Sequence, residues 1–287
     1  MSGMGASAFE PLPLRLVRSL LFVPASRPRA IAKARTLAAD LIILDLEDSV
    51  RDEERGAARA AAIEAVRQGF GDRPCAIRVN AESHGDHGAD MVAARTAAPD
   101  FVVLPKVTEA RQVHDVSLVT QRNVIAMIES PAGLVNALAI AREPGVAALL
   151  TGTNDLRQGL GVPPDASRSA IALALQSIVL AARAADVAVF DGVYNAIADL
   201  DGLAAECEEG RQMGFDGKSI IHPDHVEITN RAFSPSGPAL EQARALVAAY
   251  SGGAQRFDGR MIEAMHVAQA RALIEQAERH GHALRRI

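Results

Sequence analysis

Eight short apolar runs, each nearly unbroken and rich in Val, Ile and Leu, recur between longer Ala-rich stretches of helical periodicity. They are SLLFVP (19–24), LIILDLE (41–47), CAIRVN (75–80), FVVLPKV (101–107), VIAMIES (124–130), VAALLTG (146–152), VAVFDGV (187–193) and KSIIHP (218–223). An apolar run that does not alternate marks a strand buried on both faces, as parallel strands covered by helices are. Eight strand–helix units favour a closed (β/α)8 TIM barrel over an open doubly wound sheet. The 287 residues hold one such barrel and more, since a barrel takes roughly 250. The expected layout is a disordered leader over 1–17, a barrel over 18–233 and a C-terminal helical extension over 234–287, with helices near 239–251 and 260–280. Such surplus helices cap a barrel or reach a neighbouring subunit, so a homo-oligomer is expected.

Composition narrows the function. Hydrophobic residues are 49% of the chain, enough for a sizeable core, while aromatics are 3% and Trp is absent. Base-stacking platforms are therefore excluded, and a net charge of −5 argues against a nucleic-acid surface. Charge is nonetheless uneven: Arg15, Arg18, Arg27, Arg29, Lys33 and Arg35 stand near the N-terminus against Glu10 alone. That cluster either docks a polyanionic group or is a solvated face. Cys75 and Cys207 form no CxxC pair, so neither a disulfide framework nor a zinc site is signalled, and a cytoplasmic setting fits. No signal-peptide order and no run of about 20 apolar residues is present, so no membrane partner is expected. No glycine-rich dinucleotide fingerprint follows the first strand.

Catalytic groups of such barrels sit at the C-terminal ends of strands, and polar residues collect there. They are Asp45, Glu47 and Asp48 after strand two, Arg78 and Asn80 after strand three, Lys106, Glu129, then Thr153, Asn154 and Asp155, Asp191, and Lys218 with His222. Ionised groups are costly in an apolar interior, so this ring implies a hydrated polar cup. Glu129 and Asp155, on adjacent strands, offer half of a Mg²⁺ site, the other positions going to water and substrate. The alternative is an ion network with Arg78 or Lys106. Arg78 offers a fork for a carboxylate or enolate oxygen, or else bridges the strand-two acids. Lys106 stays protonated among acids, which disfavours a Schiff base. His222, before a proline, orients a loop more readily than it does chemistry.

The motifs RSLLFVPASRP, LIILDLEDSV, IRVN, LPKV, IESPAG, TGTNDL, GKSIIHP and FDGRM, in this order over 18 to about 275, resemble the HpcH/HpaI aldolase and citrate lyase β-subunit family. The resemblance implies a trimeric or hexameric modified barrel with Mg²⁺, acting on citryl-, malyl-, citramalyl- or related acyl thioesters to give a 2-oxo acid. It places the metal acids on Glu129 and Asp155, the substrate-gripping arginine on Arg78, and the acids that hold metal-bound water or Arg78 on Asp45, Glu47 and Asp48. Asp258 of FDGRM matches an aspartate that enters the site from a neighbouring subunit as acid or base. Arg18, Arg27 and Lys33 match a basic loop near the phosphates of coenzyme A, and Lys106 and Asp155 join Arg78 in holding substrate. Catalysis is thereby assigned to Asp258, Arg78 and Glu47. Asn154 in TGTNDL and Ala25 in VPA depart from the more frequent family pattern. The expected function is a Mg²⁺-dependent carbon–carbon lyase. Its rivals are a citrate lyase β-type subunit working on a carrier protein within a complex, and a class II aldolase acting on free hydroxy-oxo acids.

Overall fold

A computed structural model of the chain describes residues 14–284, with their side chains as far as residue 278. It divides into two compact units, one up to Asn230 and one from Arg231 onward. The boundary was expected at 233/234 and falls instead inside a helix, His225–Ala232.

The first unit is a closed barrel of eight parallel strands: β1 (Ser19–Pro24), β2 (Leu41–Asp45), β3 (Cys75–Arg78), β4 (Phe101–Leu104), β5 (Asn123–Ile128), β6 (Val146–Thr151), β7 (Ala188–Asp191) and β8 (Gly217–Ile220). Each coincides with one of the eight apolar runs, β5 and β8 starting one residue ahead of theirs, and β8 closes the ring on β1 through Ser19↔Lys218 and Leu20↔Ser219. The helices between them are α1 (Pro28–Ala34), α2 (Arg55–Gln68), α3 (His87–Ala97), α4 (Ala110–Thr120), the short pair α5 (Pro131–Val135) and α6 (Ala137–Ala141), α7 (Thr153–Gly159), α8 (Ala172–Ala184) and α9 (Leu200–Met213). α10 (His225–Ala232) follows β8. No described helix is long and apolar enough to cross a membrane.

Inside the barrel, inward residues of β1 to β7 form one apolar cluster, among them Leu41 and Ile43 of β2, Ile125 and Met127 of β5, and Ala188 and Phe190 of β7. Leu14 and Val17 belong to that cluster. Residues 14–17, expected in a disordered leader, are ordered instead: Leu14–Leu16 forms a 3₁₀ turn, because an open barrel end needs apolar side chains to cover it. Residues 1–13 lie outside the described residues.

A strand period of two decides which way each end residue faces. Asp45, Arg78 and Glu129 continue the inward series. Asp191, next to inward Phe190, faces out toward the helices, where Lys218 and Arg168 meet it at 2.8 Å each and Lys218 reaches Glu206 of α9 at 2.7 Å. Both Asp191 and Lys218 are fully buried. They were expected in the polar cup and are instead an ion network behind the wall; Asp191 stays ionised there, because the two cations outweigh the burial that opposes it. Asn80 is likewise buried, holding Leu46 O at 2.9 Å and Asp90 at 2.6 Å.

The second unit contains α11 (Gly237–Ala249), an antiparallel hairpin of β9 (Gln255–Phe257) and β10 (Arg260–Ile262), and α12 (Ala264–Leu284), which packs on α11. The hairpin occupies the start of the helix expected from 260. Its turn is Asp258-Gly259, with φ of +46° and +74°, the left-handed pair that a two-residue type I′ hairpin turn requires.

Candidate active site

A cavity of about 390 Å³ is lined by residues at the C-terminal ends of the strands, where sequence reasoning placed the site. The local sequence explains its charged residues. Glu129 directly follows β5 because Ser130 caps α5, its hydroxyl accepting from Gly133 N, and Pro131 takes the first helical position. Asp155 stands in the first turn of α7, which starts two residues after β6. Asp45 and Arg78 are register partners on neighbouring strands.

Arg78 and Asp45 form a forked pair: Nε donates to Oδ1 at 2.6 Å and Nη2 to Oδ2 at 2.7 Å. Nη1 lies 3.0 Å from Glu47 and 3.6 Å from Asp48, and the Phe22 ring covers one face of the guanidinium at 4.7 Å. The bidentate grip on substrate expected of Arg78 is therefore already taken by Asp45, and only its outer N–H edge remains for a ligand. Burial would raise the Asp45 carboxyl, but Arg78, with hydrogen bonds from Ser49 and Glu47 N–H, holds it below the usual range. Lys106 Nζ lies 3.1 Å from Glu47 Oε1. Burial alone would lower its pKa; Glu47, Asp48 and Glu129 raise it instead, so Lys106 is an ammonium.

Glu129 is 6% exposed. The backbone N–H of Lys106, which adopts a left-handed conformation at φ +54°, donates to its Oε1 at 2.6 Å. Burial first, then the charges of Glu47 and Asp155, push its carboxyl up to about 7. Five acids, Asp45, Glu47, Asp48, Glu129 and Asp155, thus surround two cations, and the surplus negative charge falls on Glu129. A hard cation resolves that surplus. Glu129 and Asp155 line the same cavity, and such a pair fits Mg²⁺, which takes one or two carboxylates and keeps water and substrate oxygens.

Gly152 makes this possible. A Cβ there would lie 2.2 Å from Glu129 Oε2 and 2.4 Å from its Cβ. Gly152→Ala is expected to displace Glu129, weakening Mg²⁺ binding at least tenfold while costing about 1–3 kcal/mol of stability. Calorimetric titration of metal alongside urea denaturation checks both, and unchanged metal affinity would show that Glu129 does not depend on this contact.

Other expected residues fall elsewhere. Arg18 precedes β1, at the opposite end of the barrel, and forks onto Asp40 at 2.8 Å; it is not a rim residue. Arg27 follows β1 at the cavity end, exposed, with Glu54 at 3.1 Å, and Lys33 is exposed on α1. His222 is partly exposed beside Asp224 at 3.7 Å. Asp258 belongs to the second unit. Sequence reasoning missed Phe22, Val193, Asn195, Ser219 and Ile221 of the cavity wall. They are neutral and carry no charge signal.

Residues 18–223 match the model of the HpcH/HpaI aldolase/citrate lyase family. The chain is 41% identical to a (3S)-malyl-CoA thioesterase of Cereibacter sphaeroides, covering 91% of this chain and 94% of that one. It is 34% identical to a citrate lyase subunit beta-like protein of Deinococcus radiodurans, covering 91% and 98%. The crystal structure of CitE from Mycobacterium tuberculosis, in complex with magnesium, acetoacetate and coenzyme A, superposes with a TM-score of 0.80 at 32% identity, covering 92% of this chain and all of that one. With the barrel and the rim acids already in place, these matches show that the chain belongs to the HpcH/HpaI aldolase/citrate lyase family.

Proposed function

We propose that this chain is a Mg²⁺-dependent carbon–carbon lyase that cleaves or forms a 3-hydroxyacyl-CoA, of the malyl-, citramalyl- or citryl-CoA type, to or from an acyl-CoA and a 2-oxo acid. The observation that carries this reading is the buried Glu129, pushed up to about 7 beside Asp155 in a cavity with surplus negative charge. Glu129 and Asp155 would hold Mg²⁺. Bound there, the ion supplies Lewis-acid polarisation of a 2-oxo or hydroxyl oxygen.

The residues of the chain do the rest. Cleavage turns the hydroxyl into the oxo group, its proton passing to solvent in the cavity, and sends the carbon–carbon electron pair into the thioester carbonyl, where the resulting enolate oxygen needs a donor. The outer N–H edge of Arg78 meets that need, its fork held by Asp45 and its Nη1 side flanked by Glu47. Lys106, 46% exposed in its side chain, keeps Glu47 paired. Arg27 and Lys33 would meet the phosphates of coenzyme A from the β1 rim. Asp258 would return a proton to the enolate carbon, reaching the site from a neighbouring subunit of a homotrimer or hexamer. Asp258→Asn is expected to leave Mg²⁺ and 2-oxo acid binding intact while cutting kcat by roughly 100-fold or more, as loss of a general acid does. If oxo-acid binding measured by calorimetry disappears as well, Asp258 is a binding residue and the acid role fails.

A second reading, thioester hydrolysis, is favoured by the 41% identical malyl-CoA thioesterase. The two part at the product. Purified protein is incubated with malyl-, citramalyl- and citryl-CoA, with Mg²⁺ and with EDTA, following both 2-oxo acid and free thiol. Metal-dependent 2-oxo acid without thiol supports the lyase. Thiol without 2-oxo acid supports hydrolysis, and no turnover on any of them shifts the reading to a carrier-dependent subunit or a free-acid aldolase.

A further inference from the structure

A pair of exposed amides lines the cavity where α7 and the loop after β7 meet. Asn195 Nδ2 donates to Asn154 Oδ1 at 2.6 Å and Asn154 Nδ2 donates back to Asn195 Oδ1 at 3.3 Å, bridging the start of α7 and the loop after β7. Both residues line the cavity next to Asp155. Among the described residues that line it, Arg78 is the one cation, against Asp45, Asp48, Glu129 and Asp155. Arg78 has nothing left for a second anion: Asp45 takes its fork, Glu47 and Asp48 flank Nη1, Phe22 covers a face, and the remaining N–H edge serves the enolate oxygen in the reading above.

We propose that the Asn154–Asn195 pair is a specificity determinant that restricts the 2-oxo acid to one bearing a single carboxylate. The inference rests on the lyase reading above and narrows its substrate class. A 2-oxo acid needs one carboxylate and the adjacent carbonyl for the metal. A second carboxylate, as on oxaloacetate, would instead meet acids and an exposed lip of neutral amides. Adjacent like charges oppose it, and no cation of that lip offsets them. Rejection thus comes from an absent counter-charge, a discrimination built against the competitor rather than toward the substrate. Each amide spends its carbonyl and one N–H on the other, which leaves that lip suited to hydrogen, methyl or another uncharged substituent.

The test uses the full-length protein with Mg²⁺ and acids matched in carbon number. Binding of pyruvate, 2-oxobutyrate and freshly dissolved oxaloacetate is measured by calorimetry; the last two differ in a terminal methyl against a carboxylate. Oxaloacetate is expected to bind at least roughly tenfold more weakly than 2-oxobutyrate, a gap of about 1.4 kcal/mol. Asn195→Arg, which places a cation on the lip, is expected to narrow that gap at least threefold by tightening oxaloacetate, with pyruvate little changed. A merely structural role of the pair cannot produce such a gain. Oxaloacetate binding as tightly as 2-oxobutyrate in the native protein would overturn the proposal, as would a gap that Asn195→Arg leaves untouched. Failure of all three acids to bind would instead remove the lyase reading on which it stands.

Discussion

Glu129→Gln is expected to raise the Mg²⁺ concentration for half-saturation by at least roughly 100-fold, beyond the 10–100-fold typical of losing an outer-shell partner, and to make the metal-free protein more stable at alkaline pH. The second effect follows from the same carboxyl. Its pKa in the fold is about 7 against an ordinary 4.5, so between these values the folded state binds more protons than the unfolded chain. Stability of the metal-free protein therefore falls as pH rises from 4.5 through 7, by about 3 kcal/mol for 2.5 pH units at 1.36 kcal/mol each. Glutamine has no proton to lose, so that decline should flatten in the variant. Mg²⁺ acts in the opposite sense, since it needs the ionised form and should bind more tightly as pH climbs toward 7. Urea denaturation between pH 5 and 8, with EDTA and with Mg²⁺, reads all three. Parallel pH profiles for native and variant, together with an unaltered metal requirement, would remove Glu129 from the site.

Arg78→Ala carries the second large effect. The guanidinium is 8% exposed and Asp45 is 1% exposed, so truncation leaves a buried carboxylate with only Ser49 and the Glu47 N–H as donors. Breaking a buried pair from one side costs about 3–5 kcal/mol, a large share of a typical domain's stability. Turnover should fall by roughly 10²–10³-fold for the lost donor at the developing enolate oxygen. Asp45→Asn in the same chain should restore part of the stability and none of the turnover, which separates the two roles. A double-mutant cycle in urea measures the coupling; additive losses would mean that the fork does not bind the two residues energetically.

How much of this was legible beforehand depended on which signal each residue carried. The strands announced themselves because parallel strands covered on both faces are apolar throughout. That same continuity hid their parity. In VAVFDGV nothing distinguishes an inward from an outward position, so Asp191 looked like a rim acid although it faces Arg168 and Lys218 behind the wall. Arg18 was read by its charge, yet one residue before β1 sets it at the far end, on Asp40. The hairpin of β9 and β10 was concealed by strands of three residues each, although Asp258-Gly259 is a turn signal in its own right. The rim acids were visible since they follow strands directly. The bridge from Arg78 to Asp45 was one of two open alternatives, because the choice depends on register between β2 and β3, a relation between strands that no single segment contains.

The ring closure has a consequence for how the chain comes to be folded. Ser19 Oγ donates to Asn230 Oδ1 at 2.7 Å across 211 positions of sequence, and β1 pairs with β8. Strand one therefore cannot gain its second neighbour until the last strand has left the ribosome. At roughly 5–20 residues per second, the growing sheet carries two open edges for about ten seconds or more. Contacts of such separation also slow the final step, since loop closure precedes the reward. Until β8 pairs with β1 both edges stay open to other strands, and closing the ring is what ends that aggregation hazard.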